Sequence, residues 1–249
     1  METGLSARQT ARYISRKHPR RLVAYVDGAC VNNGRLGPHA DWAVVCGPPG
    51  NDPCVASGRL EDKGPFGEDI IVTSNRAELR AAIAALRLYD WQDEGFERIV
   101  IATDSNYVAE GATTWAQGWV FRRWKTRTHN DVKNQDLWEL LLGGVERRYD
   151  RGLRVDILQI SMSYNAHADT AAKEAARNGV AIAEFQDITF GSSPLTKTGR
   201  YEALYTENGG YIVAAVEFAR VEMGRLGCIG NMFGNEDTDA VTLALCGLL

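Results

Sequence analysis

The apolar positions of this chain change period several times, and each change marks a new element. "RLVAYVDGA" alternates and is rich in β-branched and aromatic residues, so it reads as a strand ending near Asp27. "DWAVVCG" and "CVASGRL" give two more strands on either side of the breaker cluster "GPPGNDP", which suggests a meander. The period then shifts. In "VTSNRAELRAAIAAL", Leu79, Ala82, Ile83 and Leu86 recur at the spacing of a helix with one buried face. Thr73, Ser74 or Asn75 can cap that helix, which is expected from about Arg76 to Tyr89. "RIVIATD" is a short apolar run closing on Asp104, as in a buried strand. "SNYVAEGA" and "NQDLWELLLGGVERRYD" read as helices, the second with Leu137, Leu140, Leu141 and Val145 on one side. "LRVDILQIS" is a fifth strand. "NAHADTAAKEAARNG" is a helix with Ala168, Ala171, Ala172 and Ala175 inward and Gly179 as its stop.

The expected order is therefore β-β-β-α-β-α-α-β-α, an α/β fold with a mixed sheet flanked by helices. Past Gly179 the pattern gives way to turn formers, with one strand or helix readable at Tyr211 to Met223 and an apolar tail. Three parts are expected: a basic arm over residues 1–20, a domain over 21–179, and a C-terminal segment over 180–249 with no visible chemistry.

Composition narrows the class. With 45% hydrophobic and 24% charged residues over 249 positions, the chain is that of an ordinary soluble protein, and no run approaches a membrane span. Cys30, Cys46, Cys54, Cys228 and Cys246 are odd in number, scattered and without CxxC spacing. That pattern predicts reduced thiols in an intracellular compartment, cytoplasm or nucleus, and argues against a zinc site or disulfide framework.

The net charge of −4 means that any nucleic-acid partner must be met by a local patch. Two patches exist. Residues 1–21 carry Arg8, Arg12, Arg16, Lys17, Arg20 and Arg21 against Glu2 alone, as a mitochondrial presequence or a basic arm would. Residues 115–135 carry Arg122, Arg123, Lys125, Arg127 and Lys133, interleaved with Trp115, Trp119 and Trp124. Cations there can meet phosphates while the rings pack the segment.

The candidate chemistry is acidic. Asp27 and Asp104 each close an apolar strand, and Glu78 and Asp169 each fall in the expected first turn of a helix. Taken singly, each acid suits a cap or a strand-end turn. In a mixed α/β sheet, however, strand ends and helix starts converge on one edge, where ligand sites form. Four carboxylates gathered there repel one another unless cations neutralise them. Mg²⁺ does this with oxygen ligands from protein and substrate phosphate.

In "YVDGACVNNG", "TSNRAELRAAIAAL", "ATDSNYVAEG", "GWVFRRWKT", "VKNQDLW" and "NAHADTAAKEAA" the chain resembles type 1 ribonuclease H over about residues 22–179. The resemblance implies the ribonuclease H-like fold, with three antiparallel strands followed by parallel ones in a five-stranded sheet. It implies a monomeric endonuclease that hydrolyses the RNA strand of RNA–DNA hybrids, with Asp27, Glu78, Asp104 and Asp169 as catalytic metal ligands. Two Mg²⁺ ions ~4 Å apart would serve it, with Mn²⁺ able to substitute. Asp27 would bridge both, Glu78 and Asp104 would hold the leaving-group side, and Asp169 the attacking-water side. Asn33, Thr73 and Asn75 match residues that touch the hybrid, and Asn134 one that contacts the DNA strand, with Thr73 at a phosphate pocket. Trp119, Arg122, Arg123, Trp124 and Lys125 match a basic protrusion, its rings mainly structural.

One feature departs from the family. Many members carry a histidine in a glycine-containing loop before the last helix, whereas "QISMSYNAHAD" is short and lacks that pair. His167 lies two residues before Asp169 and belongs to the helix start. The departure keeps open an alternative, a catalytically weak hybrid- or RNA-binding module of the same fold.

Overall fold

The computed structural model describes residues 12–34, 36–48, 54–178 and 182–186. The stop at Gly179, the element at Tyr211 to Met223, Cys228, Cys246 and most of the C-terminal segment lie outside them. Five strands are present: β1 Arg21–Val31, β2 His39–Val45, β3 Val55–Arg59, β4 Arg98–Thr103 and β5 Arg154–Gln159. They form one sheet in the order β3-β2-β1-β4-β5. β1, β2 and β3 pair antiparallel, and β1, β4 and β5 pair parallel, as the alternation of elements implied.

The five α-helices are α1 Ser74–Arg87, α2 Asn106–Glu110, α3 Ala116–Phe121, α4 Gln135–Asp150 and α5 Ala166–Asn178. A π-helical turn, Gly111–Trp115, joins α2 to α3. Along β1 the side chains alternate between two layers. Leu22, Ala24 and Val26 enter the large core with α1 and α4, whereas Val23 and Tyr25 pack with Ala168 of α5 on the other face.

Two expectations need correction. β1 does not end near Asp27 but runs on to Val31, because β2 pairs with it through Val31 and His39. Only the parallel partner stops early: the β1–β4 ladder ends at Tyr25 and Ala102. Helix α1 also begins two residues sooner than expected, with the Thr73 hydroxyl accepting from Arg76 N at 3.2 Å. Glu78 is thus in the second turn, not the first. Nor does α1 bury one face only. Leu79, Ala82, Ile83 and Leu86 are buried, but so are Ala77, Arg80, Ala81, Ala84 and Ala85, because α1 is wedged between the sheet and α4.

Burying an arginine in that wedge demands a partner. Arg80 meets Glu61 through three contacts of 2.6 to 3.1 Å and lies over the rings of Trp42 and Phe185. It also donates to Gln186 O at 2.7 Å, so residues 182–186, beyond the expected domain boundary, pack on the same core. At the other end Arg12, counted on charge alone with the basic arm, is 2% exposed and paired with Glu94 at 3.0 Å. Arg80→Met should lower unfolding free energy by about 3–5 kcal/mol, since Glu61 is left buried and uncompensated. Urea denaturation measures this, and Glu61→Leu added to Arg80→Met should restore most of the loss.

Candidate active site

The four acids gather where the parallel ladder gives out. Extending its register beyond Tyr25 and Ala102 brings Asp27 level with Asp104 on neighbouring strands, which lie about 4.8 Å apart. Glu78 arrives from α1 because Gly28 has no side chain. A Cβ built on Gly28 would meet Glu78 N at 2.3 Å and Ala77 C at 2.5 Å. The helix backbone therefore rests directly on the strand. Asp169 comes from the first turn of α5, on the opposite face of the sheet.

Electrostatics bind these positions into one group. The Asp27 carboxyl is 8% exposed, and burial pushes its pKa up to about 7, helped by Asp104, Asp169 and Glu78 against one backbone hydrogen bond from Gly28. Burial likewise raises Glu78, with Ser105 opposing and Asp104 adding to the shift.

Each of the three outer acids has a local partner. Glu78 accepts from Ser105 Oγ, Asp104 accepts from Asn165 Nδ2 at 2.8 Å, and Asp169 pairs with Lys173 at 2.7 Å. With the side chains so held, no three acidic, histidine or cysteine groups among the described residues converge on one cation position. The donor set nevertheless suits a hard divalent cation. It is all oxygen, its most buried member is disfavoured as a bare anion, and Asn165 Oδ1 is buried beside Asp104 without a hydrogen-bond partner.

Asn165 and Ser105 escaped the sequence reading. Asn165 is 1% exposed and donates to both Val26 O and Asp104, tying β1 to the residue after β4. Ser105 caps α2 at Val108 N while holding Glu78. A cap residue directly after Asp104 was the available signal for Ser105; Asn165 gave none beyond its place before a helix.

The expected substrate residues fall into two sets. Asn33 donates to Ser74 Oγ at 3.3 Å, bringing the turn after β1 against the start of α1, where Thr73 and the exposed Asn75 also lie. The Thr73 hydroxyl is occupied as a cap. A buried ion pair, Arg76 with Asp136, fastens the start of α1 to that of α4. Asn134, in a left-handed conformation just before α4, donates to the Tyr107 hydroxyl at 3.2 Å.

The second set follows the π turn. Trp119 is buried between Trp115 and Trp138, with ring centroids 5.8 and 5.3 Å away, so it packs the segment and is not a surface contact. Trp124 is half-buried against the same core. Arg123 is exposed, Arg122 donates to Lys125 O at 3.1 Å, and Lys125 pairs with Asp131. His167 is exposed on α5.

A mixed sheet in this strand order, with acids from two strands and two helices at the end of its parallel ladder, defines the ribonuclease H-like class. The RNase H family matches residues 19–177, and the chain belongs to that family, as a type 1 member. It is 38% identical over 126 residues to Ribonuclease HI of Xylella fastidiosa, covering 51% of this chain and 73% of that one. Ribonuclease H of Cereibacter sphaeroides is 40% identical over 126 residues, covering 51% and 76%. Ribonuclease H of a Janthinobacterium species is 36% identical over 170 residues, covering 66% and 98%. No helix among the described residues is long and apolar enough to cross a membrane.

Proposed function

We propose that this chain hydrolyses the RNA strand of RNA–DNA hybrids at the acid edge. One observation carries the reading: Asp27 is buried, and three neighbouring carboxylates make its ionised form costly without a cation. Asp27, Glu78, Asp104 and Asp169 are the residues that would hold divalent ions, with two Mg²⁺ as the favoured set and Mn²⁺ as a substitute. Such ions activate water and stabilise a leaving oxygen.

The rest falls to the protein. Ser105 and Asn165 orient Glu78 and Asp104, so that the ligands are set before substrate arrives. Asn33 and Asn75, beside the start of α1, offer amides to a ribose 2′-hydroxyl, the group that separates RNA from DNA. Arg122 and Arg123 draw the phosphate backbone toward the edge, and Asn134 sits where α4 begins, to meet the DNA strand. The open position of His167 gives it no contact with the acid group, and no proton step is assigned to it.

The test uses an end-labelled hybrid with Mg²⁺. Cleavage confined to the RNA strand is expected, and hybrid binding without turnover in either Mg²⁺ or Mn²⁺ would favour a binding module. In the same preparation, Arg122→Ala with Arg123→Ala should weaken hybrid binding and lower the slope of log K against log salt by about 0.9 per lost contact. An unchanged slope would remove this segment from the interface.

A further inference from the structure

At the end of the sheet away from the acid edge, where the parallel strands begin, lies a cavity of about 610 Å³. Its lining includes Lys17, His18, Arg20, Arg21, Arg98 and Arg154, with Glu97 as its one acid. The cations stand on fixed backbone. Ser15 N donates to Arg21 O, His18 N to Ser15 O, Arg21 N to His18 O and Glu97 N to Arg20 O, all at 2.9 to 3.2 Å. Arg20 pairs with Glu97, and Arg98 with Asp156 at 2.8 Å. Positive charge remains in excess. The Arg21 guanidinium is disfavoured first by burial and then by Arg98, and its Nε is buried with no hydrogen-bond partner. Like the acid edge with its sign reversed, this is a crowd of charge that a counter-ion would relieve.

We propose that this cavity binds a phosphorylated ligand of nucleotide size, whose phosphoryl oxygens are held by Arg21, Arg98 and Arg154, with Lys17 at the mouth. Three features select that chemistry. Guanidinium groups present planar forks that match phosphoryl oxygens in pairs, and three arginines with a lysine favour a dianion or more over a single carboxylate. The volume lies in the range of small-molecule pockets, enough for a mononucleotide or the end of one strand and too small for a duplex. The site is also separate from the acids. Arg21 and Asp27 are six residues apart along β1, or about 20 Å. A hybrid lying across the acid edge would not reach it.

The experiment uses the full chain in EDTA, so that no divalent cation carries phosphate to the acids. Calorimetric titration with pyrophosphate and ADP should show saturable binding. Lys17→Ala with Arg154→Ala, both exposed positions, should weaken it by about tenfold or more, and Lys17→Glu alone should weaken it in the same direction. Asp27→Asn should leave it unchanged. A tetranucleotide bearing a 5′-phosphate, against the same strand with a 5′-hydroxyl, separates the two sources of the phosphate. Binding that needs the 5′-phosphate supports a strand end, and binding of ADP and pyrophosphate without either strand supports a free nucleotide. Absence of saturable binding by all of these probes, or binding that the Lys17 and Arg154 variants leave intact, overturns the proposal.

Discussion

Asp27→Asn should abolish RNA-strand cleavage, by about 10³-fold or more, while making the cation-free protein more stable. The first effect follows from removing the acid at the centre of the group. The second follows from its proton affinity. The carboxyl holds its proton up to about pH 7 in the folded chain, against an ordinary value of 3.8. The folded state therefore binds a proton more tightly than the unfolded one. The resulting stabilisation is fully present below about pH 4 and is lost as pH rises through 7. Asparagine carries no such loss. Full conversion of the shift would be about 4 kcal/mol, reduced by water at the open edge. A gain in Tm of about 5 °C is expected at pH 8 in EDTA, with no gain at pH 4. Millimolar Mg²⁺ should narrow the difference by stabilising the wild type, since ligands that bind only the folded state raise its Tm. Equal Tm values at pH 8 in EDTA would show that the four charges are not felt at Asp27.

Gly28→Ala should be the most damaging single methyl in the domain. Its Cβ would meet the backbone of Glu78 and Ala77 well inside contact distance, and no rotamer relieves a backbone clash. Helix α1 must lift from β1, which costs about 3 kcal/mol or more and carries Glu78 out of the acid group. A fall in Tm together with a loss of cleavage is expected. Gly144→Ala in α4 is the control. There the nearest atom is Leu86 Cδ1 at 3.4 Å, an ordinary contact, and alanine in a helix is favoured over glycine by up to about 1 kcal/mol. Thermal melts of the two variants should move in opposite directions. If both moved alike, the close approach at Gly28 would not be what seats the helix.

The contrast between these glycines shows what the sequence could and could not tell. Periodicity located every strand and most helices, because burial on one face leaves a mark at fixed spacing. It failed where an element has two partners. Strand β1 keeps its antiparallel neighbour for six residues after its parallel one has ended, and no local pattern records where a neighbour stops. Helix α1 is covered on two sides, so arginine and alanine are buried beside leucine and the stripe widens into a cylinder. The four acids were legible because each sits at an element boundary beside apolar runs and in the phrases that resemble the family. Their supports were not. Asn165 reaches Val26 across 139 positions of chain, and Ser105 reaches Glu78 across 27, contacts that exist only once the sheet is assembled. Trp119 was misread as a surface contact for the same reason, since aromatic rings interleaved with cations look alike whether they face a ligand or a core.

The π turn at Gly111–Trp115 sets the aim of everything after it. A Cβ on Gly111 would strike the Trp138 ring at 2.3 Å, so the helix lies flush against α4 here and its next turn is widened. A π turn accommodates one residue more than the α-helix on either side of it, and each residue of an α-helix advances the axis by about 100°. Deleting a single residue from Gly111–Trp115 would thus leave the acid edge intact while swinging Arg122 and Arg123 through more than a quarter circle. Between the chemistry and the cations that serve it, the chain has a phase adjuster: insertions and deletions of one residue change heading without changing reach.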